Sequence, residues 1–311
     1  MPVLLATDFR ADELAHWAAL LRAALPQETL VTDRADCDAS QIDMAVVANP
    51  PPGALRGLPR LMFIQSLWAG VDKLLRDPTV PAGVPLARMV DPAMNQAMAE
   101  TAMWAVLSLH RGFFTYAQRQ RAAQWRPHVQ RRADELNVAV LGLGQMGQAV
   151  ARRLADNGYR VSGWSARPVQ VPGIATLCGD AALAAVLAAA HITVNLLPLT
   201  PATAGLFDRR RFAQMPRGAS LVNLARGAHV VEADLLAALD GGQLGHAVLD
   251  VFQTEPLPSG HAFWSHPKVT VLPHVAAQTD PRSAAAIAAD NLRAVREGRA
   301  PQHLVDRARG Y

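Results

Sequence analysis

Cysteine is nearly absent from this 311-residue chain. With only Cys37 and Cys178, neither a disulfide framework nor a cysteine-based zinc site is expected. Long apolar runs are missing too. The most membrane-like stretch, residues 181–199, is interrupted by His191, Asn195 and Pro198. It reads as an Ala-rich helix followed by a buried strand, so no membrane partner is expected. The first ten residues have neither a basic start nor a long apolar core, which argues against a secretory leader and for a cytoplasmic protein. Charge of one sign is not in surplus: 30 basic and 26 acidic residues leave a formal net charge of +4. The basic residues are scattered. The short clusters Arg209-Arg210-Arg211 and Gln130-Arg131-Arg132 read as solvated helix ends, and no nucleic-acid partner is expected. A mild positive field would still favour an anionic cofactor and substrate. His261 and His266 have no convincing ligand partners around them, so no metal site is expected.

What is present is a globular composition, 50% hydrophobic and 18% charged, with ample length for two domains. Short apolar strands are expected at 3–7, 44–48, 61–65 and 84–87, with helical spacing at Leu14, Trp17, Ala18, Leu21 and Leu25 between the first two. Asp91-Pro92 reads as a helix N-cap and first helical residue. A long helix follows, through Met98, Ala102 and Val106. Further strands are expected at 138–141, 160–164, 192–196, 220–224, 247–251 and 269–272, most of them separated by helical segments. Asp280-Pro281 starts a last helix, with Ile287, Leu292 and Val295 on its apolar side. The expected architecture is α/β, with two Rossmann-like or flavodoxin-like domains. Each is a doubly wound parallel sheet, with a cleft between them. Residues 1–99 with 281–311 form the substrate domain, and 100–280 the dinucleotide-binding domain.

The strongest local signal is Gly142-Leu143-Gly144-Gln145-Met146-Gly147, placed between a β-type run and a helical pattern. Strand, Gly-rich turn and helix in that order make the dinucleotide fingerprint. Gly142 makes the tight turn, Gly144 allows a pyrophosphate to approach the backbone, and Gly147 lets the helix pack on the strand. The helix start, at Gln145 and Met146, offers unpaired N–H groups and partial positive charge to phosphates. In NAD-binding sheets an acid roughly 20 residues further on holds the ribose 2′-hydroxyl. Here no acid occurs from Asn157 to Gly179. Ser165 can donate a hydrogen bond, and Arg167 can supply a charge-assisted one to a 2′-phosphate. NADP(H) is therefore expected in preference to NAD(H), which remains usable.

Three titratable or charged residues follow successive strands: Arg226, Glu255 and His274. In an open α/β sheet, loops beyond the carboxyl ends of strands face the ligand crevice. At this point the chain resembles the D-isomer-specific 2-hydroxyacid dehydrogenase family, and within it the short glyoxylate/hydroxypyruvate reductases. The resemblance rests on residues 142–147, 196–203, 223–227, 249–252 with 255–258, and 273–277. It implies that His274 is the general acid, that Glu255 holds its imidazole, and that Arg226 binds the substrate carboxylate and keto oxygen. It further implies cofactor contacts at Leu197, Pro198, Thr203, Leu224, Ala225 and Ala276, with Asp250 bonding the nicotinamide carboxamide. Backbone N–H groups of Ala69 and Gly70 would meet the substrate carboxylate, and Trp68 would cap the pocket or pack in the core. Glu100 matches a family glutamate with a structural role. A homodimer through the helices after residue 91 is implied as well. The expected activity is NADPH-dependent reduction of small 2-oxo acids such as glyoxylate and hydroxypyruvate. The alternatives are another D-2-hydroxyacid dehydrogenase (phosphoglycerate, lactate or formate type) and a non-catalytic dinucleotide sensor like the family's corepressors. A methyltransferase sharing the Gly-rich turn would want the missing acid.

Overall fold

The computed structural model describes residues 1–311, and the chain divides into two compact units, Met1–Met94 with Thr279–Tyr311 and Asn95–Gln278. No helix is long and apolar enough to cross a membrane. In the first unit, β1 (Pro2–Thr7), β2 (Thr29–Val31), β3 (Met44–Ala48), β4 (Phe63–Ser66) and β5 (Leu86–Ala87) form one parallel sheet in the order β2-β1-β3-β4-β5. That is the flavodoxin-like winding. Every residue of β3 is buried, as a strand covered on both faces requires. α1 (Ala11–Ala24) sends Trp17, Ala18 and Leu21 inward, and the short α2 (Asp72–Arg76) follows β4.

The division between the units falls within α3 (Pro92–Arg111). Asp91 caps it as its sequence position suggests, its carboxylate accepting from Ala93 N at 2.8 Å. After α4 (Phe113–Arg121) comes a seven-stranded parallel sheet: β6 (Asn137–Leu141), β7 (Arg160–Ser165), β8 (Ala175–Cys178), β9 (Ile192–Asn195), β10 (Ala219–Asn223), β11 (Leu244–Leu249) and β12 (Val269–Val271). Their order is β12-β11-β10-β9-β6-β7-β8. The winding reverses between β6 and β9, which is the switch point where such sheets bind ligands. Alternate residues go to opposite faces. Ala139, Leu141, Leu221 and Leu249 join one apolar cluster, with Leu183 and Leu187 of α6 (Asp180–Ala189) and Leu235 and Leu239 of α8 (Glu232–Asp240). Val138, Val140, Val222 and Val248 join another, with Met98 and Ala102 of α3 and with Val150 and Leu154 of α5 (Gln145–Asp156).

The last helix, α9 (Pro281–Arg296), belongs to the first unit. Its buried face consists of Ala284, Ala285, Ala288, Ala289, Asn291, Leu292 and Ala294. Ile287 and Val295, expected on the apolar side, are only half-buried. Small alanines let the helix lie close to α1 and β4, and larger side chains move to the margin. Its C-terminal end is clamped by charge: Arg296 pairs with Glu28 at 2.7 Å and with Asp43, all three largely buried. Two edge strands, β2 and β8, lie outside the expected set. Arg211 corrects the reading of its cluster as solvated. It lies in α7 (Arg209–Gln214), only 5% exposed, and bonds Asp180 and Gln214 at 3.2 Å each.

On β11, His246 lies against the Phe114 ring (4.6 Å between centroids, 2° between planes) and bonds the Thr270 hydroxyl at 2.9 Å. Burial, with the charge of His266 beside it, pushes this imidazole down to about 4. Above pH ~6.5 the residue is neutral in folded and unfolded chains alike. Between ~6.5 and about 4 the unfolded chain takes up a proton that the native chain refuses, so stability falls through that window. His246→Gln, which keeps a polar partner for Thr270 and does not titrate, is expected to remove up to about 2 kcal/mol of the loss between pH 7 and pH 5. Urea unfolding of both proteins at pH 7 and pH 5 measures it. An equal acid-induced loss in the two would refute the assignment.

Candidate active site

The Gly-rich turn joins β6 to α5. Gly142 has φ +96°, and a Cβ there would lie 2.5 Å from the Leu196 carbonyl oxygen. Gly147 is excluded from growing by the Gly142 carbonyl, 1.7 Å from where its Cβ would stand. The helix therefore packs on the turn itself. Gly144 differs from both: it caps α5 with ordinary dihedrals, and an added Cβ would meet no protein atom. Gly144 and Gln145 are exposed, Met146 is half-buried, and no side chain caps the helix start. The first turn of α5 thus presents N–H groups to solvent at the sheet's switch point, which fits a dinucleotide pyrophosphate. At the end of β7 no acid stands. Ser165 donates its hydroxyl proton to the Arg167 carbonyl, tightening the turn that leaves Arg167 exposed.

Beyond β9, Leu197 is buried and Pro198 starts a loop braced from within. The Thr203 hydroxyl donates to the Pro198 carbonyl at 2.7 Å and accepts from Thr200 N at 2.8 Å. Beyond β10 come the buried Leu224 and Ala225, then Arg226, whose guanidinium donates to the Ala225 carbonyl at 2.7 Å. Gly227 follows, pressed against the Phe252 backbone.

Beyond β11 and β12, Asp250, Glu255 and His274 are brought together. The Glu255 carboxylate accepts from Phe252 N through Oε1 at 2.9 Å and from His274 Nδ1 through Oε2 at 2.8 Å. Burial pushes this carboxyl up. The hydrogen bonds from His274 and Phe252 and the positive charges of His274 and Arg226 outweigh it, so Glu255 lies below its ordinary value and stays ionised. The bond occupies Nδ1, leaving Nε2 as the other ring nitrogen that can carry a proton. His274 itself has φ +57°, a left-handed conformation that costs a side-chain-bearing residue energy unless its surroundings enforce it.

Asp250 does the enforcing. Its carbonyl accepts from His274 N at 2.9 Å, and its carboxylate from Val275 N at 2.7 Å and Ala276 N at 3.0 Å. Burial raises the Asp250 carboxyl, and these two N–H groups and the His274 charge counter it. The Ala276 carbonyl in turn accepts from Thr101 of α3 at 2.8 Å. Chemically, an imidazole backed by a carboxylate, with a guanidinium whose charge reaches that carboxylate, can move a proton at an oxygen while holding an anionic substrate.

In the first unit, Trp68 is half-buried among aromatic rings, 5.9 Å from Phe9 and 6.2 Å from Trp17, both edge-on. Its loop is fixed by Ser66 and Gln65, which lead directly into it, and by Asn291, which sequence reasoning missed. Ser66 accepts from Trp68 N at 3.0 Å and donates to the Trp68 carbonyl at 3.1 Å. Gln65 donates to the Ser66 carbonyl at 2.8 Å and accepts from Asn291 of α9 at 2.7 Å. Ala69 and Gly70 follow, half-buried. Only one signal was available for Asn291, a polar residue on an otherwise apolar helix face. Elsewhere, Glu100 bonds Gln96 one turn earlier on α3 at 2.8 Å. His261 and His266 pair with Glu232 and Asp240 at 3.3 and 3.2 Å.

Two parallel sheets, one carrying a Gly-rich turn and a carboxylate-backed histidine, define a dinucleotide-dependent oxidoreductase architecture. Residues 103–276 match the family model of the D-isomer specific 2-hydroxyacid dehydrogenase NAD binding domain, and the chain belongs to that family. It is 42% identical over 308 residues to glyoxylate/hydroxypyruvate reductase A of Serratia proteamaculans (strain 568), covering 97% of each chain. Among solved structures, a D-isomer specific 2-hydroxyacid dehydrogenase from Xanthobacter autotrophicus Py2, in complex with NADPH and MES, superposes with a TM-score of 0.94. It is 38% identical, over 100% of this chain and 99% of that one. The NADPH-dependent glyoxylate/hydroxypyruvate reductase of Sinorhizobium meliloti, in complex with NADP and sulfate, gives 0.93 at 36% identity, over 100% and 99%.

Proposed function

We propose that this chain is an NADPH-dependent reductase of small 2-oxo acids, glyoxylate and hydroxypyruvate among them. The observation that carries the reading is the 2.8 Å bond between Glu255 and His274 Nδ1, with the Arg226 charge acting on the same carboxylate. A reduced nicotinamide dinucleotide supplies the hydride that reduces the keto carbon. The N–H groups of Gln145 and Met146 hold its pyrophosphate beside Gly142, Gly144 and Gly147, and Arg167 receives the 2′-phosphate, joined by Ser165 once its hydroxyl turns away from the Arg167 carbonyl. Leu197, Pro198, Thr203, Leu224, Ala225 and Ala276 line the remainder, and Asp250 uses its remaining lone pairs toward the carboxamide. Arg226 holds the substrate carboxylate and polarises the keto oxygen, helped by the N–H groups of Ala69 and Gly70. Trp68, backed by Phe9 and Trp17, limits substrate size. His274 Nε2 donates the proton to the developing alkoxide, and Glu255 stabilises the imidazolium beforehand.

The protein acts in the cytoplasm as a homodimer through α3 and α4. Trp104 and Phe113 support this, being large apolar side chains 42% and 54% exposed. Retention of the whole arginine, glutamate and histidine set favours catalysis over a corepressor-like sensor.

Loss of NADPH absorbance in the near ultraviolet, run over a panel of 2-oxo acids with both cofactors, tests the reading. Turnover with glyoxylate or hydroxypyruvate and a clear NADPH preference are expected. Cofactor binding without turnover of any small 2-oxo acid would sink it. Gly144→Val is expected to fold normally, since its side chain meets open space, yet to weaken NADPH binding at least about tenfold by occupying the place of the pyrophosphate. Fluorescence titration measures it, and wild-type affinity would show that the phosphates lie elsewhere.

A further inference from the structure

Three polar side chains lie fully buried at the carboxyl ends of β9 and β10: Asn195, Asn223 and His229, each 0% exposed. Polar groups withdrawn from water cost free energy unless they are hydrogen-bonded. Here they bond one another and the two loops that leave the sheet at this point. The Asn195 amide donates to Asn223 Oδ1 at 2.9 Å and to His229 Nδ1 at 3.0 Å, and its Oδ1 accepts from Leu197 N at 3.3 Å. Asn223 Oδ1 also accepts from Ala225 N at 3.3 Å, while its amide donates to the Arg226 carbonyl at 3.0 Å. Because His229 Nδ1 accepts, its proton is on Nε2, which donates to the Pro198 carbonyl at 3.3 Å. The Leu197–Pro198 segment and the Ala225–Arg226 segment are thereby tied to one hydrogen-bonded chain. An apolar trio would fill the same volume, but it would leave four backbone groups of these loops without these partners.

We infer that Asn195, Asn223 and His229 are positioning residues, a single polar unit that sets the Arg226 segment against the Leu197–Pro198 segment. The inference rests on the reductase reading, in which the first segment holds the substrate carboxylate and the second lines the cofactor. None of the three touches the reacting atoms. Asn195 is the hub, because its amide serves both other members. The orientation of each depends on the next: an Asn223 flipped by 180° would set a donor against both the Asn195 amide and Ala225 N. The unit has one self-consistent arrangement of protons, and so one spacing between the two loops.

Asn223→Asp changes one amide nitrogen to oxygen and places a carboxylate oxygen opposite the Arg226 carbonyl. It is expected to raise KM for the 2-oxo acid at least about tenfold, to lower kcat less, and to leave the NADPH Kd within about threefold. In an Arg226→Ala background the same substitution is expected to add less than about twofold, because its effect passes through Arg226. His229→Phe, which removes the bond to Pro198, is expected to raise both the NADPH Kd and the 2-oxo acid KM. His229→Gln, whose side-chain amide offers a donor to the Pro198 carbonyl, restores part of the NADPH affinity. Losses that follow only the folded fraction, or that are equal with and without Arg226, would overturn the inference. One readout does not depend on activity: nitrogen NMR of the histidine rings is expected to show His229 as a single Nε2–H tautomer. A mixture of tautomers overturns the polar unit whatever the enzyme does, whereas a single tautomer with no 2-oxo acid turnover counts only against the reductase reading.

Discussion

His274→Gln is expected to lower kcat for 2-oxo acid reduction by about 10²–10⁴-fold, the usual contribution of a positioned general acid. KM for the acid and Kd for NADPH are expected to change little. A glutamine can still meet Glu255, so the loop keeps a partner at the 2.8 Å contact, but it has no proton to give to an alkoxide. Glu255→Gln is expected to cost less, because the amide oxygen still accepts from Nδ1 while the charge that stabilises imidazolium is gone. Single-turnover and steady-state rates at saturating NADPH separate these cases. A His274→Gln protein with wild-type kcat would remove the acid role. A loss confined to KM would recast His274 as a binding group.

The other large effect is expected at Gly227. A Cβ there would stand 1.9 Å from the Phe252 carbonyl carbon and 2.2 Å from its oxygen. Both are backbone atoms, so no flexible side chain can swing aside. Gly227→Ala must therefore push the Arg226 segment away from the segment whose Phe252 N–H holds Glu255. Overpacking typically costs about 1–3 kcal/mol and occasionally more, and a clash with backbone atoms belongs at the upper end of that range. The substitution also separates Arg226 from Glu255 and His274, so under the roles proposed for them kcat/KM is expected to fall further than the unfolded fraction explains. Urea unfolding and kinetics on the same preparation measure both. An unchanged midpoint with unchanged kcat/KM would show that the two segments part without cost.

The sequence carries the elements whose signals are local. Gly142, Gly144 and Gly147 follow one another within six residues, and each strand of the switch point is a short apolar run ended by a turn. The edge strands β2 and β8 escape because neither is an apolar run with a clear core signal: β2 has only Leu30 and Val31 as buried apolar residues, and β8 has no buried residue. That Arg226, Glu255 and His274 gather at one edge of the sheet is legible because each follows the carboxyl end of a strand. Asn291, Asn195 and His229 are not, since a buried polar side chain is defined by what converges on it, and those partners lie as far as 226 residues away in the Asn291–Gln65 pair. Arg211 fails for the same reason, its partner Asp180 being 31 residues distant. The left-handed backbone of His274 has no sequence signature at all, because the constraint comes from Asp250.

The first unit is assembled from both halves of a split chain, with residues 279–311 supplying α9 and the Arg296 clamp on Glu28 and Asp43. During translation its opening 94 residues emerge without the helix that covers β4 and without the Asn291 amide that meets Gln65. The inserted second unit holds a contiguous stretch of chain and can complete its sheet on the ribosome first. The bond from Asn291 to Gln65, which braces the Trp68 loop, cannot form until α9 has been made.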